Sequence, residues 1–193
     1  MIPPLVLASG SPRRRTLLSM LGIAHTVAPA DVDEAPRTGE PPETYVLRLA
    51  EAKARAAPTA RPDDLVLGAD TTVVIDDEML AKPRDAADAE RMLARLAGRT
   101  HRVASAVALV RGNRVEVGLD VTHVTFRALD REAIALYVAT GEPLDKAGAY
   151  GIQGYGAALV ERIEGDFFGV MGLPLRIVLD LLTRFGYRYT FTR

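Results

Sequence analysis

The 193-residue chain contains no cysteine. That removes disulfides, thiolate nucleophiles and cysteine-based zinc sites together, and it agrees with a reducing compartment. Histidine is scarce: His25, His101 and His123 share no metal-ligand spacing and are expected at the surface or packed in the core. Acid–base work therefore falls mainly to carboxylates, lysines and tyrosines. An excess of basic charge is also missing, because 24 Lys+Arg stand against 25 Asp+Glu for a formal net charge of -1. Proteins that grip nucleic acid or anionic membrane across a whole face need such an excess to displace counterions. Neither is expected as a partner, and any polyanion site must be local. Long apolar runs are absent too. The stretch from Pro3 to Ala8 is too short for the apolar segment of a secretory signal, and its arginines follow it instead of preceding it. Nothing further along is long enough to span a bilayer. A cytoplasmic protein is the expectation.

Lysine is the last shortage. Only Lys53, Lys82 and Lys146 interrupt a basic inventory that is otherwise arginine. A compact ammonium is a point charge that a planar guanidinium does not mimic, so these three positions either reflect phosphate geometry or follow from codon bias and chance. What is present, 48% hydrophobic and 25% charged residues, suits one globular domain over residues 1–193 with a sizeable core.

The order of elements reads as α/β with a mixed sheet. Leu5 to Ala8 predicts a short buried strand, followed by Ser11 as the cap of a helix that starts at Pro12 and stops at Gly22. A strand and a polar loop fill His25 to Pro42, and a second helix covers Glu43 to Ala57, closed by Pro58 and Pro62. Leu65 to Leu67 is a strand running into Gly68-Ala69-Asp70, with Thr71 to Ile75 extended beyond it and a hairpin turn at Asp76-Asp77. Asp85 caps a third helix ending at Gly98. Two long strands, Arg102 to Val110 and Val115 to Arg127, join across Gly112-Asn113. Asp130 begins a helix that ends near Gly141, and a glycine-rich stretch runs from Gly148 to Gly154. A strand pair around Gly165-Asp166 precedes a last helix opened by Pro174.

Four places could carry chemistry. Ser9-Gly10-Ser11-Pro12-Arg13-Arg14 lies where a strand meets a helix, and the exposed amides of a helix start can hold a phosphate; a capped helix with solvated arginines is the plainer reading. Lys53 interrupts an apolar stripe of Val46, Leu49, Ala50 and Ala57, so it either snorkels along its stem or faces a polyphosphate. Asp70 follows a short apolar strand, where an Asp can bind a divalent cation, act as a base, or merely satisfy a turn. Asp31, Asp33 and Glu34 add carboxylates in the preceding loop. Finally, Asp145 to Gly154 offers backbone approach at its glycines and a donor–acceptor amide at Gln153.

Together these segments, in order from Leu5 to about Leu182, resemble the Maf family of nucleotide pyrophosphatases. The fixed residues of Ser-x-Ser-Pro-Arg-Arg alone recur by chance at roughly one position in a million. The resemblance implies two lobes around an extended mixed sheet flanked by helices, similar to inosine triphosphate pyrophosphatases, with a central substrate cleft. It implies a hydrolase that converts dTTP and UTP, and modified pyrimidine triphosphates with them, to the monophosphate and pyrophosphate. Asp70 becomes the proton acceptor and Glu34 the second acid, the two together holding Mg²⁺ or Mn²⁺. Lys53, Lys82 and Arg13 become triphosphate contacts, with Arg14 beside them and Ser9 and Ser11 adding hydroxyls. Arg13, Thr71 and Gln153 match the positions that mark the dTTP/UTP branch against the branch acting on 7-methyl-GTP or other purine triphosphates. A homodimer is compatible with the family. A non-catalytic, division-regulating nucleotide binder would share the pocket, but the intact Asp70, Lys53 and Lys82 argue against a dead site. One departure is Gly169, where many relatives carry Asn.

Overall fold

A computed structural model of the protein describes residues 2–59, 61 and 63–191. Among them are seven strands: β1 (Leu5–Leu7), β2 (His25–Val27), β3 (Leu65–Ile75), β4 (Glu78–Leu80), β5 (Thr100–Arg111), β6 (Arg114–Phe126) and β7 (Val160–Glu164). The helices are α1 (Pro12–Met20), α2 (Pro42–Ala56), α3 (Ala86–Leu96), α4 (Arg131–Ala139), α5 (Phe167–Val170) and α6 (Leu175–Arg184). All strands join one mixed sheet in the order β2-β1-β3-β5-β6-β7, with β4 paired to the far half of β3. β1 runs parallel to β2 and β3, and the remaining pairs are antiparallel. The mixed α/β sheet expected from the sequence is therefore present. No helix among the described residues is long and apolar enough to cross a membrane.

Strand alternation divides the packing into two faces. Val66 of β3 and Ala104, Ala106 and Ala108 of β5 meet Val46, Ala50 and Ala54 of α2. Leu65 and Leu67, with Val107 and Leu109, face the other way onto Leu17 and Leu18 of α1 and Val178 and Leu181 of α6. A further cluster joins Leu93 and Leu96 of α3, Ile134 and Val138 of α4, and Phe126 at the end of β6. The helix starts follow the capping residues: Ser11, Asp85 and Asp130 each accept a bond from a backbone amide three residues on.

The strand from Leu65 and the extended run to Ile75 form one continuous strand, β3, so Asp70 lies inside a strand and not just past a short one. Gly68 is a point of close approach. A Cβ there would collide with the Ala50 carbonyl oxygen and the Ala54 amide, so its absence lets α2 lie directly on the strand. The strand pair around Gly165-Asp166 is not formed. Only β7 precedes it, and Asp166 instead caps the single turn of α5 by accepting from the Phe168 and Gly169 amides. The glycine-rich stretch is a series of 3₁₀ turns, Glu142–Asp145, Ala147–Ala149 and Gly154–Leu159. Of the two prolines expected to close the second helix, Pro58 follows its cap at Ala57, while Pro62 lies outside the described residues.

Candidate functional site

The close seat of α2 on Gly68 sets up the site. Ala50 and Ala54 flank the glycine, and Lys53, on the same side of the helix, falls over Asp70, two residues further along the same face of β3. The Lys53 ammonium donates to Asp70 Oδ1 at 2.6 Å and reaches Glu34 Oε1 at 2.6 Å, so two carboxylates converge on one cation. The side chains of Lys53 and Asp70 are 12% and 10% exposed, against 57% for Glu34. The partner required by a lysine in an apolar stripe is thus an acid pair, and its head does not snorkel to water. Burial raises the Asp70 pKa above the usual carboxylate value, while the charges of Lys53 and Arg14 and the Lys53 hydrogen bond pull it back. The result is a partly desolvated carboxylate with cations on hand, an arrangement suited to accepting a proton beside an anionic substrate.

Arg14, Ser9 and Thr71 form a separate knot. Arg14 donates from Nε to the Gly172 carbonyl at 2.8 Å and from Nη1 to the Ala69 carbonyl at 2.8 Å and to Ser9 Oγ at 3.1 Å. Its Nη2 reaches Thr71 Oγ1 at 3.4 Å. Burial lowers the pKa of this guanidinium. Ser11 Oγ caps α1 by accepting from the Arg14 amide. The Thr71 hydroxyl shares a 2.8 Å bond with Ser105 Oγ, which donates to the Gly169 carbonyl at 2.6 Å. Being one residue from Asp70 on an extended strand, Thr71 projects to the opposite face of the sheet. The role of Gly169 is steric: the Asp120 carboxylate already occupies the space that a side chain there would enter.

Arg13, Lys82 and Gln153 behave differently. Among the described residues their side chains make no hydrogen bond or ion pair, and Lys82 and Gln153 are exposed. Arg13 and Lys82 both border the segment from Asp145 to Gly148. The charge of Arg13 acts on Asp145, and the carbonyl of Ala81, next to Lys82, accepts from the Gly148 amide at 3.2 Å. Lys146 is spent internally, on the Glu142 carbonyl at 2.6 Å and Asp145 Oδ1 at 2.7 Å.

Sequence reasoning passed over two groups. Glu142 gathers the glycine-rich segment by accepting from Tyr137 Oη at 2.9 Å and from the Gly156 and Tyr155 amides at 2.9 and 3.0 Å. No motif marks a lone Glu ahead of such a stretch. Tyr45 donates to the Glu34 carbonyl at 2.9 Å, and Arg48 bonds Ala35 and Glu40. Their spacing with Lys53 on one helix was the available signal.

A divalent cation would need hard oxygen donors. Among the described residues no group of three His, Cys, Asp or Glu converges as a metal site. Mg²⁺ commonly binds through one or two carboxylates together with substrate phosphates, however, and the Glu34 and Asp70 oxygens suit that chemistry.

Comparison with known proteins gives a match to the family described as Maf-like protein over residues 4–185. The chain is 54% identical over 183 residues to a dTTP/UTP pyrophosphatase of Symbiobacterium thermophilum, covering 95% of this chain and 94% of that one. It is 56% identical over 186 residues to the dTTP/UTP pyrophosphatase of Moorella thermoacetica, covering 94% and 95%. A third relative of the same name, from Anaeromyxobacter dehalogenans, is 52% identical over 198 residues and covered in full. Among solved structures, the Ham1 protein of Staphylococcus aureus aligns with a TM-score of 0.44 at 15% identity, over 64% of this chain and 72% of that one.

Proposed function

Because the chain belongs to the Maf-like protein family, we propose that it is a nucleoside triphosphate pyrophosphatase that converts dTTP and UTP to the monophosphate and pyrophosphate. The observation that carries this reading is the convergence of Asp70 and Glu34 on Lys53, a largely buried carboxylate and a more exposed one on a single cation.

The chemistry follows from charge. Hydrolysis between the α- and β-phosphates requires water to attack the α-phosphorus while the departing pyrophosphate gathers negative charge. Asp70 takes the proton of that water, its carboxylate aimed by the Lys53 bond. Lys53, Lys82 and Arg13 supply countercharge to the leaving group, which strengthens in the transition state and so accelerates the step. Arg14 acts through others, fixing Ser9 and the backbone at Ala69 next to the base. Glu34 and Asp70 would hold Mg²⁺ or Mn²⁺, which would withdraw charge from the phosphate oxygens. Gln153 pairs with the base: its amide accepts from the ring NH of uracil or thymine and donates to an adjacent carbonyl.

A panel of dTTP, UTP, CTP and 7-methyl-GTP, with Mg²⁺, with Mn²⁺ and with EDTA, tests the reading by separate assays for pyrophosphate and orthophosphate. Expected are pyrophosphate from dTTP and UTP and none in EDTA; with the Gln153 amide locked against flipping in the bound complex, kcat/KM should be at least about 10 times above CTP, since a mismatched buried hydrogen bond costs ~1–3 kcal/mol. Gln153→Ala should narrow that gap by lowering dTTP and UTP turnover. Orthophosphate as first product overturns the assignment, and equal rates on CTP overturn the base contact.

A further inference from the structure

We propose that Tyr45, Arg48 and Glu40 are positioning residues for this reaction, forming a clamp on α2 that holds the preceding loop so that the Glu34 carboxylate stays on Lys53. The inference rests on the reading of Glu34 as the second acid of the site.

The need for a clamp comes from exposure. Glu34 sits in a segment, residues 28–41, that forms neither helix nor strand, and its side chain is 57% exposed. An exposed ion pair contributes little, and ordering a loop costs backbone entropy at every residue. Lys53 alone would not keep Glu34 in place.

The attachments are all made to one helix. Tyr45 Oη donates to the backbone carbonyl of Glu34 at 2.9 Å, and Arg48 Nη2 donates to that of Ala35 at 3.2 Å. The Arg48 guanidinium also forks onto Glu40, Nε to Oε1 at 2.6 Å and Nη2 to Oε2 at 2.7 Å. Glu40 Oε2 in turn accepts from the Arg37 amide at 3.1 Å, so the far end of the loop is closed as well. The guanidinium stacks over the Tyr45 ring, 5.5 Å from its centroid. Arg48 holds the Glu40 carboxyl down at about 2, so the fork persists across the neutral range. Tyr45 and Arg48 are one turn apart, and Lys53 lies about two turns beyond Tyr45. One rigid helix thus carries both the cation and the anchors of its acidic partner, and the distance between them no longer depends on the loop.

Tyr45→Phe removes one hydroxyl, and Arg48→Lys keeps the charge but not the fork. Each should lower kcat on dTTP by about 10-fold with little change in KM, below the 10²-fold that a 1 Å misplacement can cost. In a Glu34→Ala background the same substitutions should add no further loss, because the group they position is gone. Hydrogen exchange of the Ala35 and Arg37 amides, which donate to Asp33 Oδ1 and Glu40 Oε2, should quicken in both single variants whether or not the protein turns over. Equal fractional losses in the two backgrounds, or unchanged exchange, overturn the clamp. Faster exchange in variants of a parent that releases no pyrophosphate overturns the pyrophosphatase reading and leaves the clamp standing. Should Arg48→Lys fail to fold, Tyr45→Phe decides alone.

Discussion

Burial and charge pull Asp70 in opposite directions. Desolvation raises its pKa, and Lys53 and Arg14 resist. A raised folded pKa means that ionised Asp70 opposes folding at neutral pH, so replacing the charge by an amide of equal size should leave the fold intact. Asp70→Asn should nevertheless reduce turnover by about 10²–10⁴, the usual contribution of a positioned proton acceptor. As the proposed base, Asp70 works only as carboxylate, so activity should be lost as pH falls through its pKa, at a pH above the ordinary Asp value of 3.8. A kcat/KM profile of the parent should show that acidic limb, and the residual activity of the variant should lack it. The same limb in both would assign the titration elsewhere. At this level the sequence was legible where a residue broke its surroundings, as Lys53 breaks an apolar stripe. Arg13 and Arg14 could not be told apart, because adjacent helix positions point about 100° apart and only the fold decides which is buried. The knot around Arg14 needs Gly172, 158 positions away.

Helix α2 against strand β3 is the pairing on which the site depends. Gly68 permits it, because any side chain there meets the Ala50 carbonyl and the Ala54 amide. Gly68→Ala should force the helix outward at a cost of about 1–3 kcal/mol, the usual range for overpacking. The Lys53–Asp70 bond should lengthen with it. Thermal melting would register the first effect, and a larger fall in turnover than the lost stability explains would register the second. Parental melting and turnover would show that the contact yields without consequence. The helices, with their Ser11, Asp85 and Asp130 caps, were readable from local chemistry. The role of Gly68 within β3 was not, since a glycine inside a strand looks the same in sequence whether it turns the chain or admits a neighbour. Nor was the 3₁₀ series, whose organiser Glu142 acts through backbone amides 13 and 14 positions away.

Across the whole molecule, the sheet order with β1 inserted between β2 and β3 could not be read from local pattern, but the mixed α/β class could. One buried histidine adds to how the fold answers to acid. His101 is 2% exposed, bonds Tyr150 Oη through Nε2 at 2.8 Å, and has no partner at Nδ1 among the described residues. Burial pushes its pKa down to about 4 from 6.5. A depressed folded pKa contributes stability that is complete above the unfolded value and lost as pH falls towards the folded one. Up to roughly 3 kcal/mol should therefore disappear between about pH 6.5 and 4. His101→Gln, which can still bond Tyr150, should flatten urea-unfolding stability across that window; an unchanged slope would place the acid sensitivity in other groups. The central claim, attack of water at the α-phosphorus, is tested most directly by hydrolysing dTTP in ¹⁸O-enriched water and locating the label by mass spectrometry. Label in dTMP with unlabelled pyrophosphate is the expected result; label in pyrophosphate would place the attack on the β-phosphorus and contradict it.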